Sequence, residues 1–272
     1  MSQKRRHILG LSGGKDSSAL AIYMRDRVPE MEYAFCDTGK ELPETYEFLD
    51  RLEAFLGKKV NRLNAERDFD HWLSVFGGLL PSSQVRWCTR LLKIKPFEEF
   101  IGDNLAYNYV AIRADENRVG YKPLKNVENR NIEPKYPFKE DGITEADVYR
   151  ILDESGLGLP DYYKWRTRSG CYFCFYQRKA EWVGLMENHP DLFELAKTYE
   201  KFNEETGERY TWSQSESLVE LSDAERIEQI KESYAKALTR KKTSQPSRSL
   251  VEILGDTLDD EDDEQPCLIC DL

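Results

Sequence analysis

The chain has 272 residues, 40% of them hydrophobic and 12% aromatic, and its formal net charge is −11. These values predict a folded globular protein, and the acidic balance argues against a large basic nucleic-acid surface. No stretch approaches the roughly 18 apolar residues of a membrane span, and the basic start runs at once into Gly, Lys and Asp. We therefore predict a cytoplasmic protein whose six cysteines are reduced thiols or metal ligands.

The first part of the chain alternates short apolar runs with amphipathic stretches. A kink is expected before Pro96, because proline disfavours helical geometry in the residue that precedes it. Strands that alternate with helices of this length predict an α/β fold with a doubly wound, mostly parallel sheet. The predicted strands are 5–11, 31–39, 59–63 and 107–114, and the predicted helices are 17–28, 43–57 and 86–101.

The sequence changes character after residue 140. Thr144 and Asp147 have the spacing of a capping box, and further helices are predicted near 178–188, 191–205 and 222–240. Six consecutive acids, Asp259–Glu264, repel one another and predict a solvated tail. The predicted parts are an α/β domain over 1–140, a Cys-x-x-Cys and helical part over 141–240, and a flexible acidic tail over 241–272.

A glycine-containing loop joins the first predicted strand to the first predicted helix. Its glycines allow a close backbone approach, and the free N–H groups of a turn and a helix start form an anion site. Lysine adds a positive charge, serines add hydroxyls, and aspartate is suited to Mg²⁺ or to orienting the lysine. The loop predicts a nucleotide phosphate site. It is not a Walker loop, because Leu9 stands where that pattern needs glycine. The predicted binding residues are Ser12, Gly13, Gly14, Lys15, Asp16, Ser17 and Ser18.

Five motifs together resemble the PP-loop family of ATP pyrophosphatases, and within it the branch of the phosphoadenosine-phosphosulfate (PAPS) reductases. The resemblance spans residues 8–182. It is carried by Ser12–Ser17, by Asp37-Thr38-Gly39 with Pro43-Glu44-Thr45, by Trp87-Cys88-Thr89 with Leu92-Lys93, by Ile112–Glu116 with Arg118, and by Gly170-Cys171-x-x-Cys174.

The resemblance implies an adenosine nucleotide, ATP with Mg²⁺, at the carboxyl ends of the strands. It implies that Asp37 and Thr38 lie near the adenosine and that Arg113 faces phosphate or substrate, so Lys15, Asp16 and Arg113 are the predicted catalytic residues. Sulfonucleotide reductases have altered loops without the Lys-Asp pair, and they carry a Glu-Cys-Gly motif that this chain lacks. The loop therefore predicts cleavage of ATP between its α and β phosphates.

The cysteines predict either metal binding or sulfur redox chemistry. Cys171-x-x-Cys174 has a spacing that suits a shared metal, and Cys88 stands in a motif that lies near this pair in the resembling branch. Three alternatives remain for these cysteines: they bind a [4Fe-4S] cluster, they bind Zn²⁺, or they are thiols that only pack in the core. Cys267 and Cys270 suit a fourth ligand or a mobile dithiol. The tyrosines at 162 and 163 are interpreted as packing residues.

We predict an enzyme that adenylates an acceptor with release of pyrophosphate, in sulfur transfer of the thiolation or phosphorothioation type. The acceptor is a small molecule or a nucleic acid. We leave undecided whether a sulfur donor or a partner protein also takes part. The alternatives are a sulfonucleotide reductase that uses Cys267 or Cys270, a sulfate adenylyltransferase, and, from a different class, a nucleotide-binding module of a larger assembly.

Overall fold

The computed structural model describes residues 4–117, 131–202, 209–213 and 216–243. These residues form two compact units, one containing 4–76 and 85–171 and the other containing 77–84 and 172–243. Arg118, Cys267 and Cys270 lie outside the described residues. So does the predicted tail, apart from 241–243 at the end of the last helix.

The first unit is built on a five-stranded sheet in which every pairing is parallel. The strands are β1 Arg6–Leu11, β2 Glu32–Asp37, β3 Val60–Asn64, β4 Ala106–Tyr109 and β5 Ile132–Lys135. Their order in the sheet is β3-β2-β1-β4-β5, so the chain crosses from one side of β1 to the other between β3 and β4. This confirms the predicted α/β fold with a parallel sheet.

Helices cover both faces of this sheet, because the strands direct alternate side chains to opposite sides. The helices of this unit are α1 Lys15–Met24, α2 Pro43–Leu56, α3 Phe69–Val75, α4 Trp87–Thr89, α5 Lys95–Ile101, α6 Pro137–Glu140 and α7 Glu145–Glu154. On one face of the sheet, Leu9 and Leu11 pack in the main core with residues of α1, α2 and α7. On the other face, Ile8 packs with Phe97 of α5.

The segment predicted as one kinked helix over 86–101 is interrupted. A π-helical stretch, Arg90–Ile94, separates α4 from α5, and Pro96 stands in the first turn of α5. Proline lacks the N–H that a helix interior needs, which accounts for the break at this position. The interruption begins two residues after Cys88.

The second unit contains four helices and a short hairpin among its described residues. Its core holds Phe173, which stacks on Trp212 with the ring centroids 4.8 Å apart, and the buried Trp182. The helix predicted over 191–205 ends earlier, at Lys197. The elements are α8 Lys179–Asn188, α9 Pro190–Lys197, β6 Lys201–Phe202, β7 Arg209–Tyr210, α10 Leu218–Leu221 and α11 Ala224–Thr243. No helix within the described ranges is long and apolar enough to cross a membrane.

Candidate functional site

The two loop glycines are needed to pack the loop against its own protein. Gly13 has a φ of 72°, in the left-handed region, and a Cβ there would come within 2.5 Å of Thr45 Cγ2. A Cβ on Gly14 would come within 2.7 Å of Ser169 Oγ. The glycine requirement therefore has a source in the fold itself, in addition to any approach of a ligand.

Serine hydroxyls hold the loop in shape. Ser17 Oγ accepts a hydrogen bond from Ser12 N at 3.1 Å, and the hydroxyls of Ser12 and Ser17 are also 3.1 Å apart. Ser169 Oγ donates to Ser12 Oγ at 3.1 Å. Ser18 is fully buried, and its hydroxyl has no hydrogen-bond partner among the described residues. Its predicted role in binding a nucleotide stays a prediction.

The start of α1 presents main-chain donors. The N–H groups of Asp16 and Ser17 donate to no acceptor in the part of the chain that the structure describes, although Ser17 is buried. Buried N–H groups without a partner are rare in folded proteins, and at a helix start they form a site for an anion. The N–H of Lys15 is different, because it donates to Tyr163 Oη at 3.0 Å.

Charged side chains surround this helix start, and we call them the ion-pair cluster. Lys15 Nζ lies 3.1 Å from Asp16 Oδ2 and 3.2 Å from Glu145 Oε1. Arg113 Nη1 lies 2.8 Å from Asp16 Oδ1, so Asp16 joins the two cations. The remaining members of the cluster are Asp115 and Glu116, which pair with Arg113 at 3.0 and 2.9 Å.

The cluster keeps both cations protonated. Burial is the largest single influence on Lys15 and lowers its pKa, but the charge of Asp16, the hydrogen bond to Asp16 and the neighbouring Tyr163 together outweigh burial and raise that pKa. Burial acts on Arg113 in the same direction, and the hydrogen bond and charge of Asp16 again raise the pKa. Lys15 and Arg113 are thus fixed positive charges at neutral pH, with side chains that are only 9% and 14% exposed.

Strand order explains how residues 97 positions apart in the sequence meet. The loop after β1 and the segment after β4 emerge at the same sheet edge, because β1 and β4 are parallel neighbours. The order of the strands reverses between them, and in open α/β sheets ligands bind outside the carboxyl ends of the strands at this switch point. The structure therefore brings together Lys15, Asp16 and Arg113, the three predicted catalytic residues.

The end of β2 carries a second group of polar residues at the same sheet edge. Asp37 Oδ1 accepts hydrogen bonds from Gly39 N at 2.9 Å and from Tyr46 Oη at 2.7 Å. Thr38 Oγ1 lies 3.2 Å from Cys171 Sγ and donates to Glu41 Oε1 at 3.1 Å. Cys171 Sγ is also 3.6 Å from Glu41 Oε1. We call Thr38, Glu41 and Cys171 the thiol cluster.

The three predicted metal ligands are distributed over both units. Cys88 and Cys171 are half-buried in the first unit, and Cys174 belongs to the second. Within the described residues, no three His, Cys, Asp or Glu side chains are grouped so that they could hold a metal ion. Metal binding by these cysteines stays a prediction. Cys36 is buried, and burial raises the pKa of its thiol to about 11.

Sequence reasoning missed several residues at the site. Tyr162 Oη donates to the Gly13 carbonyl oxygen at 2.8 Å, and Tyr163 binds the start of α1, so both tyrosines contribute hydroxyls as well as packing. Glu145 and Glu41 were also not singled out. The capping box at Thr144 places Glu145 in the first turn of α7, but nothing in the local pattern predicts that this turn faces Lys15.

A parallel α/β sheet with an anion-binding loop after its first strand and fixed cations at the switch point defines a nucleotide-binding domain of the PP-loop type. The chain belongs to the phosphoadenosine phosphosulfate reductase domain family, which it matches over residues 6–174. The predicted family is thus confirmed.

Curated relatives share part of this chain. An uncharacterized protein of Methanocaldococcus jannaschii is 27% identical over 198 residues, which cover 70% of this chain and 40% of that protein. The tRNA-specific 2-thiouridylase MnmA of Haemophilus ducreyi is 24% identical over 148 residues, covering 48% of this chain and 35% of the enzyme. The chain therefore spans less than half the length of these relatives.

Two solved structures show a looser likeness. A PAPS reductase from Candida auris, in a phosphate complex, has a TM-score of 0.49 and 13% identity, covering 62% of this chain and 82% of the reductase. The U34-tRNA thiolase NcsA from Methanococcus maripaludis, with its [4Fe-4S] cluster, has a TM-score of 0.39 and 15% identity, covering 72% of this chain and 71% of the thiolase.

Proposed function

We propose that this protein binds ATP and adenylates an acceptor, with release of pyrophosphate, as a step in sulfur transfer. One observation carries the adenylation part. Two fixed cations, Lys15 and Arg113, meet at Asp16 beside the unpaired N–H groups of α1. This combination suits a ligand with several adjacent negative charges, and a nucleotide triphosphate has that character.

The chemistry follows from where charge develops. An acceptor oxygen attacks the α-phosphorus, the bond from that phosphorus to the α–β bridging oxygen breaks, and pyrophosphate leaves with the electron pair. Lys15, Arg113 and the open N–H groups stabilise the charge that builds up on the departing pyrophosphate. Such preorganised donors are each worth about 10²- to 10³-fold in rate.

Mg²⁺ fits the chemistry of the donors. The ion-pair cluster holds four carboxylates against two cations, so an additional cation would offset repulsion between the cluster and the triphosphate. Mg²⁺ usually binds through only one or two carboxylates together with phosphates and waters, which does not need a three-residue site. Asp16 is the candidate ligand. Bound Mg²⁺ would neutralise charge on the phosphates.

The sulfur part of the proposal is supported by the thiol cluster and by the relatives. Cys171 lies against Thr38, directly after β2, at the sheet edge that also carries the phosphate loop. The curated relatives include tRNA-specific 2-thiouridylases. In the proposed step, a sulfur nucleophile attacks the adenylated carbon, a carbon–sulfur bond forms, the carbon–oxygen bond breaks, and AMP leaves.

Exchange of labelled pyrophosphate into ATP tests the adenylation. The assay has three arms: unfractionated tRNA, sulfate, and no added acceptor. We expect exchange in the wild type with at least one acceptor, and a loss of about 100-fold in Lys15→Ala and in Asp16→Asn. Lys236→Ala is the matched control, since Lys236 is 70% exposed in a surface pair and should be neutral.

The arms separate the competing functions. Exchange with sulfate alone indicates a sulfate adenylyltransferase, and ATP binding without exchange in any arm indicates a nucleotide-binding module. Unchanged exchange in both Lys15→Ala and Asp16→Asn would show that the ion-pair cluster does not act on the phosphates.

A further inference from the structure

One short segment of the first unit forms hydrogen bonds to the predicted phosphate loop, Ser12–Ser17. It runs from Tyr162 to Ser169 and begins in a 3₁₀ turn, Asp161–Lys164. Tyr162 Oη donates to the Gly13 carbonyl oxygen, Tyr163 Oη accepts from Lys15 N, and Ser169 Oγ donates to Ser12 Oγ. The segment therefore contacts residues on both sides of Gly14, and its position is coupled to the shape of the loop.

Tyr163 is the residue of this segment that contacts the start of α1. Its oxygen accepts the Lys15 N–H, one of the first three helix N–H groups that have no intrahelical partner. The next two N–H groups, those of Asp16 and Ser17, remain open. The hydrogen bond from Lys15 N, the first residue of α1, therefore holds the Tyr163 oxygen next to these two open N–H groups.

The hydroxyl also has the right protonation state for an anion. A phenol that accepts one hydrogen bond through its oxygen still carries its own proton as a donor. Burial raises the pKa of Tyr163 to about 12, so the hydroxyl stays protonated at neutral pH. Lys15 and Arg113 are already paired with carboxylates. The neutral Tyr163 hydroxyl can donate to a phosphate oxygen without forming a further ion pair.

We propose that Tyr163 is a further phosphate-binding residue, whose hydroxyl donates to the nucleotide while its oxygen is held by the Lys15 main chain. This inference rests on the nucleotide site of the proposed function and adds a residue from a segment that sequence reasoning assigned to packing. The competing possibility is that Tyr163 covers the site and must be displaced before a nucleotide binds.

Equilibrium binding of ATP with Mg²⁺, of pyrophosphate, and of adenosine to Tyr163→Phe separates these possibilities. We expect ATP and pyrophosphate to bind about tenfold more weakly and adenosine to bind unchanged, because hydrogen bonds to charged groups are the stronger ones. Tyr23→Phe is the matched control, since it removes an exposed hydroxyl from the last turn of the same helix, where it donates to Asp141. Unchanged or tighter ATP binding in Tyr163→Phe would overturn the proposal.

A second measurement uses the unaltered protein, in case Tyr163→Phe does not fold. Nitration of tyrosines by tetranitromethane is mapped by mass spectrometry with and without ATP and Mg²⁺. Protection of Tyr163, with Tyr23 unaffected, supports direct binding, whereas faster nitration of Tyr163 shows displacement and overturns it. Both readouts are independent of turnover. A protein that binds ATP through Tyr163 but shows no pyrophosphate exchange therefore refutes the proposed adenylation and leaves this inference standing.

Discussion

The ion-pair cluster and the thiol cluster lie at the same edge of one sheet but are built from opposite kinds of interaction. In the first, the buried Lys15 and the half-buried Arg113 are each paired with at least two carboxylates, drawn from α1, α7 and the segment after β4. In the second, a thiol, a hydroxyl and one carboxylate oxygen meet through contacts of 3.1 to 3.6 Å, with no cation among them. The first arrangement suits phosphate charge and the second suits a sulfur atom, so the two parts of the proposed reaction are assigned to separate side chains.

The largest expected effect separates the two clusters by function. In Cys171→Ser, thiolation of unfractionated tRNA supplied with ATP and sulfide should fall by at least about 100-fold, while pyrophosphate exchange stays within about threefold of wild type. The reason is that the Cys171 thiol contacts Thr38 and Glu41, whereas the proposed exchange reaction is assigned to the ion-pair cluster. Thiolated nucleosides are measured by mass spectrometry.

Cys36→Ser is the control for this prediction. The Cys36 thiol is buried and its pKa is raised to about 11, so it is a poor nucleophile and its replacement should leave thiolation intact apart from any loss of stability. Equal losses of exchange and thiolation in Cys171→Ser would contradict a division of labour between the two clusters.

The loops that carry the clusters should differ in their tolerance of a methyl group. Gly13→Ala should lower the free energy of unfolding by about 3 kcal/mol, since the left-handed conformation and the overlap with Thr45 add together. Gly39, beside Thr38, has a similar φ of 69°, but a Cβ there would meet nothing within 4 Å. Gly39→Ala should therefore cost only about 1 kcal/mol, for its conformation. Urea denaturation measures both.

A double-mutant cycle tests the steric part of that difference. Thr45→Ser removes the Cγ2 atom that lies 2.5 Å from the added Cβ and keeps the hydroxyl. We expect Gly13→Ala and Thr45→Ser to be less destabilising together than the sum of the single changes. Simple additivity would mean that the overlap is relieved elsewhere in the loop.

The smallest expected effect concerns competition inside the ion-pair cluster. Glu145 is 48% exposed and pairs with Lys15, so a phosphate that binds Lys15 competes with the carboxylate that is easiest to displace. Glu145→Gln should tighten ATP binding about two- to fivefold, in line with the small free energies of exposed ion pairs. Glu154→Gln, at the other end of α7 and 65% exposed, is the control. Weaker binding in Glu145→Gln would instead place that carboxylate among the groups that hold the nucleotide.

The elements that sequence predicted well are those with a strong local pattern. The apolar runs at β1 and β2, the amphipathic stripe of α2, and the capping box of Thr144 and Asp147 all have direct counterparts in the structure. β5 was missed because it is a four-residue edge strand that contains Pro134, a residue that usually argues against a strand. The short helix α3 was missed as well.

Some residues of the candidate site were likewise predicted from the sequence, and others were not. The loop composition identified Lys15 and Asp16, and the resemblance to the PP-loop family implied that Arg113 faces phosphate or substrate. Tyr163 and Glu145 could not be found in this way, because their contacts depend on how segments more than 100 residues away in sequence fold back onto the loop. Such contacts follow from tertiary packing and leave no periodic signal in the sequence.

The most direct test of the central claim is the identity of the bond that is cleaved in ATP. Wild-type protein is incubated with ATP, Mg²⁺, sulfide and unfractionated tRNA, and the products are followed by phosphorus NMR. A PP-loop built around Lys15, Asp16 and Arg113 predicts pyrophosphate and AMP in equal amounts. Accumulation of ADP and inorganic phosphate would show that the ion-pair cluster acts on the γ-phosphate and would contradict the account.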